Sequence, residues 1–186
     1  MPEFAAKLAP MGRHVALLRA VNVGGRKLPM AELRALCADI GWKDAATYIQ
    51  SGNVVFTADG TSEMLEKQLE EAIARRFGME VPTIVRSAAE WRGYVPACPF
   101  PDAARDTPNW LLLLLSKRPP AADADAALRA RSADGERVAL VGDALWIHYP
   151  AGSGRTKLTP SLIDRLVGSP TTSRNHNTVL KLEEML

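Results

Sequence analysis

Residues 47–57, "TYIQSGNVVFT", decide the fold of the first half of the chain. The β-prone runs 47–49 and 53–57 flank a short polar turn that contains Gly52, which is the pattern of a β-hairpin. Segments with helical periodicity lie on both sides of this hairpin. It therefore forms the centre of a predicted βαββαβ unit, the ferredoxin-like arrangement.

Apolar periodicity and capping residues extend this prediction outward from the hairpin. An apolar run predicts the first strand, and the helix after it begins at a proline and stops at Gly41. A second helix begins at a Thr61 or Ser62 cap and ends at Gly78. The predicted bounds are 14–19 for the first strand, 29–40 for the first helix, 61–78 for the second helix and 82–86 for the last strand.

The same pattern partly recurs in the second half. Thr159 caps a helix whose first residue is Pro160, and the segment from residue 171 is predicted to be a loop leading into the last helix. The predicted strands cover 110–115, 137–141 and 145–149, and the predicted helices cover 121–131, 159–168 and 177–186.

These patterns predict an α+β fold made of two ferredoxin-like (βαββαβ-type) subdomains in tandem with a C-terminal helix. The linker between the subdomains is rich in proline and contains a short helix. The predicted divisions are a disordered extension over 1–10, subdomains over 11–86 and 109–186, and the linker over 87–108.

Composition places the chain among ordinary globular proteins. Of its 186 residues 47% are hydrophobic, and a formal net charge of +2 is too small to indicate a nucleic-acid or membrane surface by itself. The apolar run 110–115 is far shorter than the roughly 20 residues that span a bilayer, and residues 1–10 do not resemble a signal peptide. Cys37 and Cys98 lack partners at metal-ligand spacing, so we expect a reduced, cytoplasmic protein without a metal or cofactor.

Three predicted loops hold the polar and basic residues that a core does not explain. They are "RAVNVGGRK" at 19–27, "YPAGSGRTK" at 149–157 and "TTSRNHNT" at 171–178. Each leads into a predicted helix, whose first N–H groups attract anions, and glycine lets the backbone approach a ligand. Direct positive charge comes from Arg26, Lys27, Arg155, Lys157 and Arg174.

Each loop taken alone is also a plain strand-to-helix turn with solvated basic residues. The adjacent glycines Gly24 and Gly25 do not match G-x-G-x-x-G, and "GSGRTKL" lacks the spacing of a Walker loop. An RNA-recognition module needs aromatic residues on its central strands, where this chain has only Phe56. Because the sequence has no nucleophile elbow and His148 is expected to be a strand residue, no reaction is assigned.

Five stretches in order resemble the bacterial family known as domain of unknown function 1697. They are "HVALLRAVNVGGRKLPMAELRALCADIGW", "ATYIQSGNVVF", "VPTIVRS", "GRTKLTPSLIDRL" and "TTSRNHNTVLKL". The resemblance implies a small cytoplasmic α+β protein of two related subdomains, and no particular reaction. The family pattern falls on Arg19, Asn22, Gly24, Gly25, Tyr48, Gln50, Ser51, Gly52, Asn53, Gly154, Arg155, Lys157, Thr172, Arg174, Asn175, Asn177 and Thr178.

The chain departs from the family pattern at two positions. Family members usually have glycine where this chain has Ala20, which implies a strand end that tolerates a methyl group. They usually have tryptophan where this chain has His176, and the exchange argues against a packing or stacking role for that position.

The leading hypothesis is a binding protein, or an enzyme of unassigned reaction, that holds a nucleotide or a phosphorylated metabolite between its halves. Binding of a nucleic-acid backbone is the first alternative. The second is a structural role, in which the polar groups lock the halves or a dimer together and Arg19 and Arg174 are buried and paired. No membrane partner is expected, and the sequence does not fix the oligomeric state. The candidate ligand-binding residues are Arg19, Asn22, Gly24, Gly25, Arg26, Gln50, Ser51, Asn53, Gly154, Arg155, Lys157, Arg174 and Asn175.

Overall fold

The structure is a computed structural model that describes residues 11–154 and 156–186. It divides the chain into two compact units, one formed by residues up to Ala88 with Leu186 and the other by residues 89–185. Each unit contains a four-stranded antiparallel sheet together with helices, so the predicted α+β fold is confirmed. The extension predicted over residues 1–10 lies outside the described residues.

The first unit has the predicted βαββαβ order. Its strands are arranged β2-β3-β1-β4, so that the hairpin β2–β3 pairs with β1 at the centre of the sheet. Thr61 caps α2 by accepting the N–H of Met64, and Gly78 ends that helix in the left-handed conformation, both as predicted. The elements are β1 (Gly12–Leu18), α1 (Met30–Asp39), β2 (Lys43–Tyr48), β3 (Asn53–Ala58), α2 (Ser62–Phe77) and β4 (Thr83–Ser87).

The core of the first unit is built from the apolar faces of α1 and α2 and the strand residues beneath them. Trp42 stacks on Phe56 with ring centroids 3.6 Å apart, and Phe56 is fully buried. Cys37 is buried in the same cluster, as its helical spacing predicts, and burial raises the pKa of its thiol to about 12. The thiol is therefore a packing group and not a nucleophile.

The second unit repeats the strand order of the first, as β6-β7-β5-β8. Its predicted helix at Thr159 and Pro160 is confirmed, since Thr159 accepts the N–H of Leu162 and Gly168 ends the helix. The elements are α3 (Ala88–Tyr94), α4 (Pro101–Asp106), a 3-10 turn (Pro108–Trp110), β5 (Leu111–Ser116), α5 (Ala124–Arg129), β6 (Arg137–Val141), β7 (Ala144–His148), α6 (Pro160–Val167), β8 (Thr171–Asn175) and α7 (His176–Glu184).

The strand β8 corrects the sequence prediction, which placed a loop there. The segment "TTSRN" has no apolar alternation, and its strand conformation comes from antiparallel pairing with β5, where Leu113 faces Arg174. The added strand completes βαββαβ order in the second unit. The linker is also more ordered than a plain connection, because it contains α4 and the 3-10 turn.

A side-chain carboxylate from a helix covers an edge strand in each unit. In the first, the N–H of Val85 in β4 donates to Glu66 of α2 at 2.9 Å. In the second, the N–H of Thr171 in β8 donates to Asp164 of α6, also at 2.9 Å. Both bonds satisfy backbone donors that face away from the sheet.

His176 begins α7 inside the core of the second unit. It is buried, and its ring lies 5.9 Å from that of Trp146, centroid to centroid. The expectation that this position has no packing role is therefore wrong. The imidazole Nδ1 has no hydrogen-bond partner among the described residues, and burial lowers the pKa of the ring.

Candidate functional site

A cavity of about 490 Å³ opens where the β1–α1 connection meets the β2–β3 turn of the first unit. These are two of the segments in which the sequence predicts ligand-binding residues, and side chains or backbone from both reach the cavity. The lining residues are Asn22, Gly25, Arg26, Lys27, Pro29 and Gln50. Four of the predicted site residues are thus brought together.

The side chain of Asn22 holds the two segments to each other. Its Nδ2 donates to the carbonyl of Leu28 at 3.0 Å and to that of Gln50 at 2.7 Å, while its Oδ1 accepts the N–H of Leu28 at 2.8 Å. The first and third bonds close the connection into a loop, and the second ties that loop to the hairpin turn. Asn22 therefore shapes the cavity, and its amide is already engaged before any ligand arrives.

Three non-glycine residues in these two segments have backbone conformations in the left-handed region. Ala20, Asn22 and Ile49 have φ values of 53°, 57° and 49°. Asparagine tolerates this region, but alanine and a β-branched residue are strained there. The φ of 53° at Ala20 shows that the end of β1 holds this methyl group under strain, so the expectation of a strand end that tolerates it is corrected.

Gly52 lets the hairpin turn lie directly against the end of β1. The N–H of Leu18 donates to the Gly52 carbonyl at 2.8 Å, and a Cβ on Gly52 would lie 2.6 Å from Val21 Cγ2. The buried Asn53 braces the same turn, donating from Nδ2 to Tyr48 O at 2.8 Å and to Ser51 Oγ at 3.0 Å. Asn53 and Ser51 thus serve the turn, and neither lines the cavity.

The charge at the cavity is positive. Arg26 donates from Nη2 to the backbone carbonyl of Glu80, which fixes its guanidinium without neutralising it. Lys27 is exposed and has no carboxylate within ion-pair distance in the described parts of the chain. Since none of the lining residues is acidic, an anion entering the cavity meets two uncompensated cations.

The amino terminus of α1 lies next to the cavity. Its cap is Pro29, which lines the cavity and offers no side-chain hydrogen bond to the helix. By contrast, α2, α6 and α7 begin at Thr61, Thr159 and Asn175, whose side chains each accept a backbone N–H. The first N–H groups of α1 therefore keep their positive potential without a side-chain acceptor.

Two further predicted residues lie near the cavity without lining it. Arg19 directly follows β1; it is half-buried, and its backbone N–H donates to Pro82 O at 2.9 Å. Gly24 is exposed at the tip of the connection, with φ at 57°. Both help to set the path of the chain around the cavity.

The second predicted loop is built around a carboxylate. Glu136 is buried and accepts hydrogen bonds from Thr156 Oγ1 at 2.5 Å and from the N–H of Asp134 at 2.9 Å. Burial raises the pKa of Glu136, but the bonds from Thr156 and the backbone outweigh this and hold the pKa below its ordinary value. Gly154 and Lys157 are exposed in this loop, and Arg155 lies outside the described residues. The negative charge of Glu136 opposes the binding of an anion in this loop.

In the third predicted segment, residues 171–178, polar side chains stabilise the strand β8 and the start of α7. Arg174 is buried in β8 and donates from Nη1 to Thr172 Oγ1 at 2.8 Å and to Ser173 O at 2.7 Å. Burial lowers the pKa of its guanidinium to about 10. Asn175 caps α7 by accepting the N–H of Thr178 at 2.9 Å.

Two exposed apolar residues, Val23 and Ile49, adjoin the segments that line the cavity, and neither is among the predicted site residues. Val23 and Ile49 are 57% and 49% exposed, although both are β-branched hydrophobic residues. Val23 follows Asn22, and Ile49 precedes Gln50, so both flank the bond that joins the two segments. In the sequence, the feature that could have identified Val23 and Ile49 is the apolar residue directly beside each polar turn.

Comparison with known proteins supports the fold and the family. A sequence profile of the family described as "Protein of unknown function (DUF1697)" matches residues 11–146. A solved structure, that of the conserved bacterial protein SP0830 from Streptococcus pneumoniae, is similar to this chain with a TM-score of 0.74 and 23% identity. The similarity covers 95% of this chain and 98% of that one. No curated protein matches the sequence.

Two further observations concern the described residues, 11–154 and 156–186. None of their helices is both long enough and apolar enough to cross a membrane. They also contain no group of three or more His, Cys, Asp or Glu side chains placed to hold a metal ion.

Proposed function

We propose that this chain, which belongs to the DUF1697 family, binds an anionic ligand in the cavity at the β1–α1 connection. The ligand is a nucleotide or a phosphorylated metabolite. The observation that carries the proposal is the pair of cations, Arg26 and Lys27, that line a cavity without any acidic lining residue.

The proposal narrows the predicted site to the first unit. In the loop before α6, Thr156 donates to the buried carboxylate of Glu136, and Arg174 donates to two groups within β8. Among the described residues, only the first connection places two cations, Arg26 and Lys27, in the lining of a cavity that has no acidic lining residue. The two unpaired cysteines favour a reducing, cytoplasmic location for this activity.

The first alternative, nucleic-acid binding by base stacking, has less support. Phe56, the aromatic residue on the central strands, is fully buried against Trp42 and cannot stack on a base. Backbone binding would require a wider basic surface than the two cations of one cavity. Measurement of oligonucleotide binding at low salt distinguishes this alternative from the proposal.

The second alternative, a structural role for the polar motifs, describes part of the molecule well. Asn53, Arg174 and Asn175 each make hydrogen bonds that stabilise a turn, a strand or a helix end. This role does not extend to Lys27, which makes no such bond to any residue that the structure describes. We therefore assign the structural role to those residues and the binding role to the cavity.

A thermal-shift screen with inorganic phosphate, ribose phosphate and nucleoside monophosphates tests the proposal. A ligand at roughly a hundred times its Kd stabilises the folded state by about 2.7 kcal/mol, which raises the melting temperature measurably. The double variant Arg26→Gln/Lys27→Gln should lose this response.

The matched control for that variant is Lys67→Gln/Arg75→Gln, which removes the same charge from exposed ion pairs on α2. It should keep the response of the natural protein. If no phosphate compound stabilises the natural protein, or if both double variants respond as it does, the proposal is wrong.

A further inference from the structure

We infer that the anionic ligand is a nucleoside phosphate, whose base lies against Val23 and Ile49 while its phosphate meets Arg26 and Lys27. This inference rests on the proposed function, because it assumes that the cavity is the binding site. It adds the chemical class of the ligand and assigns a task to the exposed apolar residues.

The size of the cavity favours a ligand larger than a free phosphate. At about 490 Å³ it falls within the range of roughly 300–1,000 Å³ that is typical of sites for drug-sized molecules. A phosphate group held by the two cations would fill a small part of it. The remainder has room for the body of a larger ligand.

The exposed residues beside the cavity indicate that this body has an apolar surface. Val23 and Ile49 are among the few large hydrophobic residues of the described chain that are exposed, and both lie next to segments that line the cavity. The bond from Asn22 to Gln50 keeps their two segments together. A flat base has two faces that such side chains can cover, whereas a sugar phosphate is polar throughout.

Gln50 supplies a group that can recognise the edge of a base. It lines the cavity, and its side-chain amide makes no hydrogen bond within residues 11–154 and 156–186. An amide of this kind offers one acceptor and two donors in one plane, which match the edge of a base in a bidentate manner. Two cations and an amide thus line one cavity, and the segments that supply them also carry the exposed Val23 and Ile49.

Isothermal titration of the natural protein with inorganic phosphate, ribose phosphate and the four common ribonucleoside monophosphates tests the inference. The best nucleotide should bind about tenfold more tightly than ribose phosphate, because two half-exposed aliphatic side chains become covered. In the variant Val23→Ser/Ile49→Ser this ratio should fall to about threefold or less, while the affinity for ribose phosphate stays the same.

The control variant is Met64→Ser, which removes an exposed apolar side chain on α2 of the same unit and should keep the full ratio. Gln50→Ala should change the ranking of the four nucleotides. If ribose phosphate binds as tightly as every nucleotide, the inference fails and the proposed function stands. If none of the phosphate compounds binds, both fail.

Discussion

The two units of this protein have the same strand order and share hydrogen bonds at the same end of the sheet. In each unit, the residue after the first strand donates its backbone N–H to the carbonyl of the proline that precedes the fourth strand. An arginine in the connection after the first strand donates to a second backbone carbonyl, two residues before that proline. In the first unit these bonds are Arg19 to Pro82 and Arg26 to Glu80; in the second they are Lys117 to Pro170 and Arg118 to Gly168.

The units differ in what the connection from the first strand to the first helix contains. Residues 19–29 of the first unit include Asn22, Gly24 and Gly25, all at positive φ, and they bend around a cavity. Residues 117–123 of the second unit are shorter and include two prolines in succession, which restrict the backbone. The two connections thus differ in length and in backbone conformation, although the units share one strand order.

The pockets beside the two connections differ in charge as well. The second unit has a more open pocket of about 430 Å³ at Arg118, and its lining includes Asp164 and Arg165 from α6. There the carboxylate competes with an anion for the basic side chains, and the adjacent helix ends rather than begins. Binding of an anion is therefore expected in the unit whose connection leaves positive charge uncompensated at the cavity.

The largest effect is expected from a methyl group in the hairpin turn of the first unit. The variant Gly52→Ala should lose about 3 kcal/mol or more of unfolding free energy, since it combines a strained φ with a clash against Val21 and Leu18. Gly142→Ala, in the corresponding turn of the second unit, meets no atom within 4 Å and should cost only about 1 kcal/mol. Urea titrations measure both. Equal losses would contradict the close approach.

A smaller loss of unfolding free energy is expected when the hydrogen bonds of the Asn22 side chain, which join the β1–α1 connection to the hairpin turn, are removed. Asn22→Ala eliminates three hydrogen bonds and should destabilise the protein by about 2 kcal/mol, besides abolishing ligand binding. In the second unit, Asn175→Ala removes one capping bond and should cost about 1 kcal/mol, with binding retained. Unfolding and titration experiments on both variants check this. Intact binding in Asn22→Ala would show that these hydrogen bonds do not shape the site.

The strained end of the first strand predicts a gain in stability. Ala20→Gly should raise the unfolding free energy by about 1 kcal/mol, because φ at this position is 53° and the site is exposed. The same exchange at Ala121, in the connection of the second unit, lies outside the left-handed region and should lower it by about 0.5 kcal/mol. The denaturation midpoint should therefore rise in Ala20→Gly and fall in Ala121→Gly. A lower midpoint in both variants would show that the backbone at Ala20 is not strained.

The smallest effect concerns the residue that begins the helix after the fourth strand. This is Ala88 in the first unit and the buried His176 in the second, and burial lowers the pKa of His176. Its contribution to stability is present above the unfolded pKa of about 6.5 and decreases as pH falls below that value. In His176→Phe the unfolding free energy should decline less between pH 7 and pH 5 than in the natural protein. Parallel declines in the two proteins would show that His176 does not titrate on unfolding.

Local signals made most of the fold predictable from the sequence. The hairpin, the caps Thr61 and Thr159 and the helix ends at Gly78 and Gly168 each depend on residues close to one another in the chain. The strand β8 was not predictable, because a polar run such as "TTSRN" becomes a strand only through pairing with β5. Its conformation is set by distant residues.

The candidate site was predictable to the extent that its residues are chemically distinctive. Asn22, Gly25 and Arg26 stand out in sequence because such residues at a strand end are hard to assign to a core. The burial of Arg174 and the carboxylate of Glu136 beside the loop before α6 arise from tertiary packing, which spacing along the chain does not reveal. Three loops that look alike in sequence therefore differ in structure.

The most direct test of the central claim is a map of backbone amide chemical shifts by heteronuclear NMR during titration with ribose phosphate. Binding in the cavity should produce concentration-dependent changes at Gly24, Gly25 and Lys27, at the first turn of α1 and at the hairpin turn of the first unit, with the connection 117–123 unaffected. Changes centred on the second unit, or no changes at ligand concentrations in the millimolar range, would contradict it.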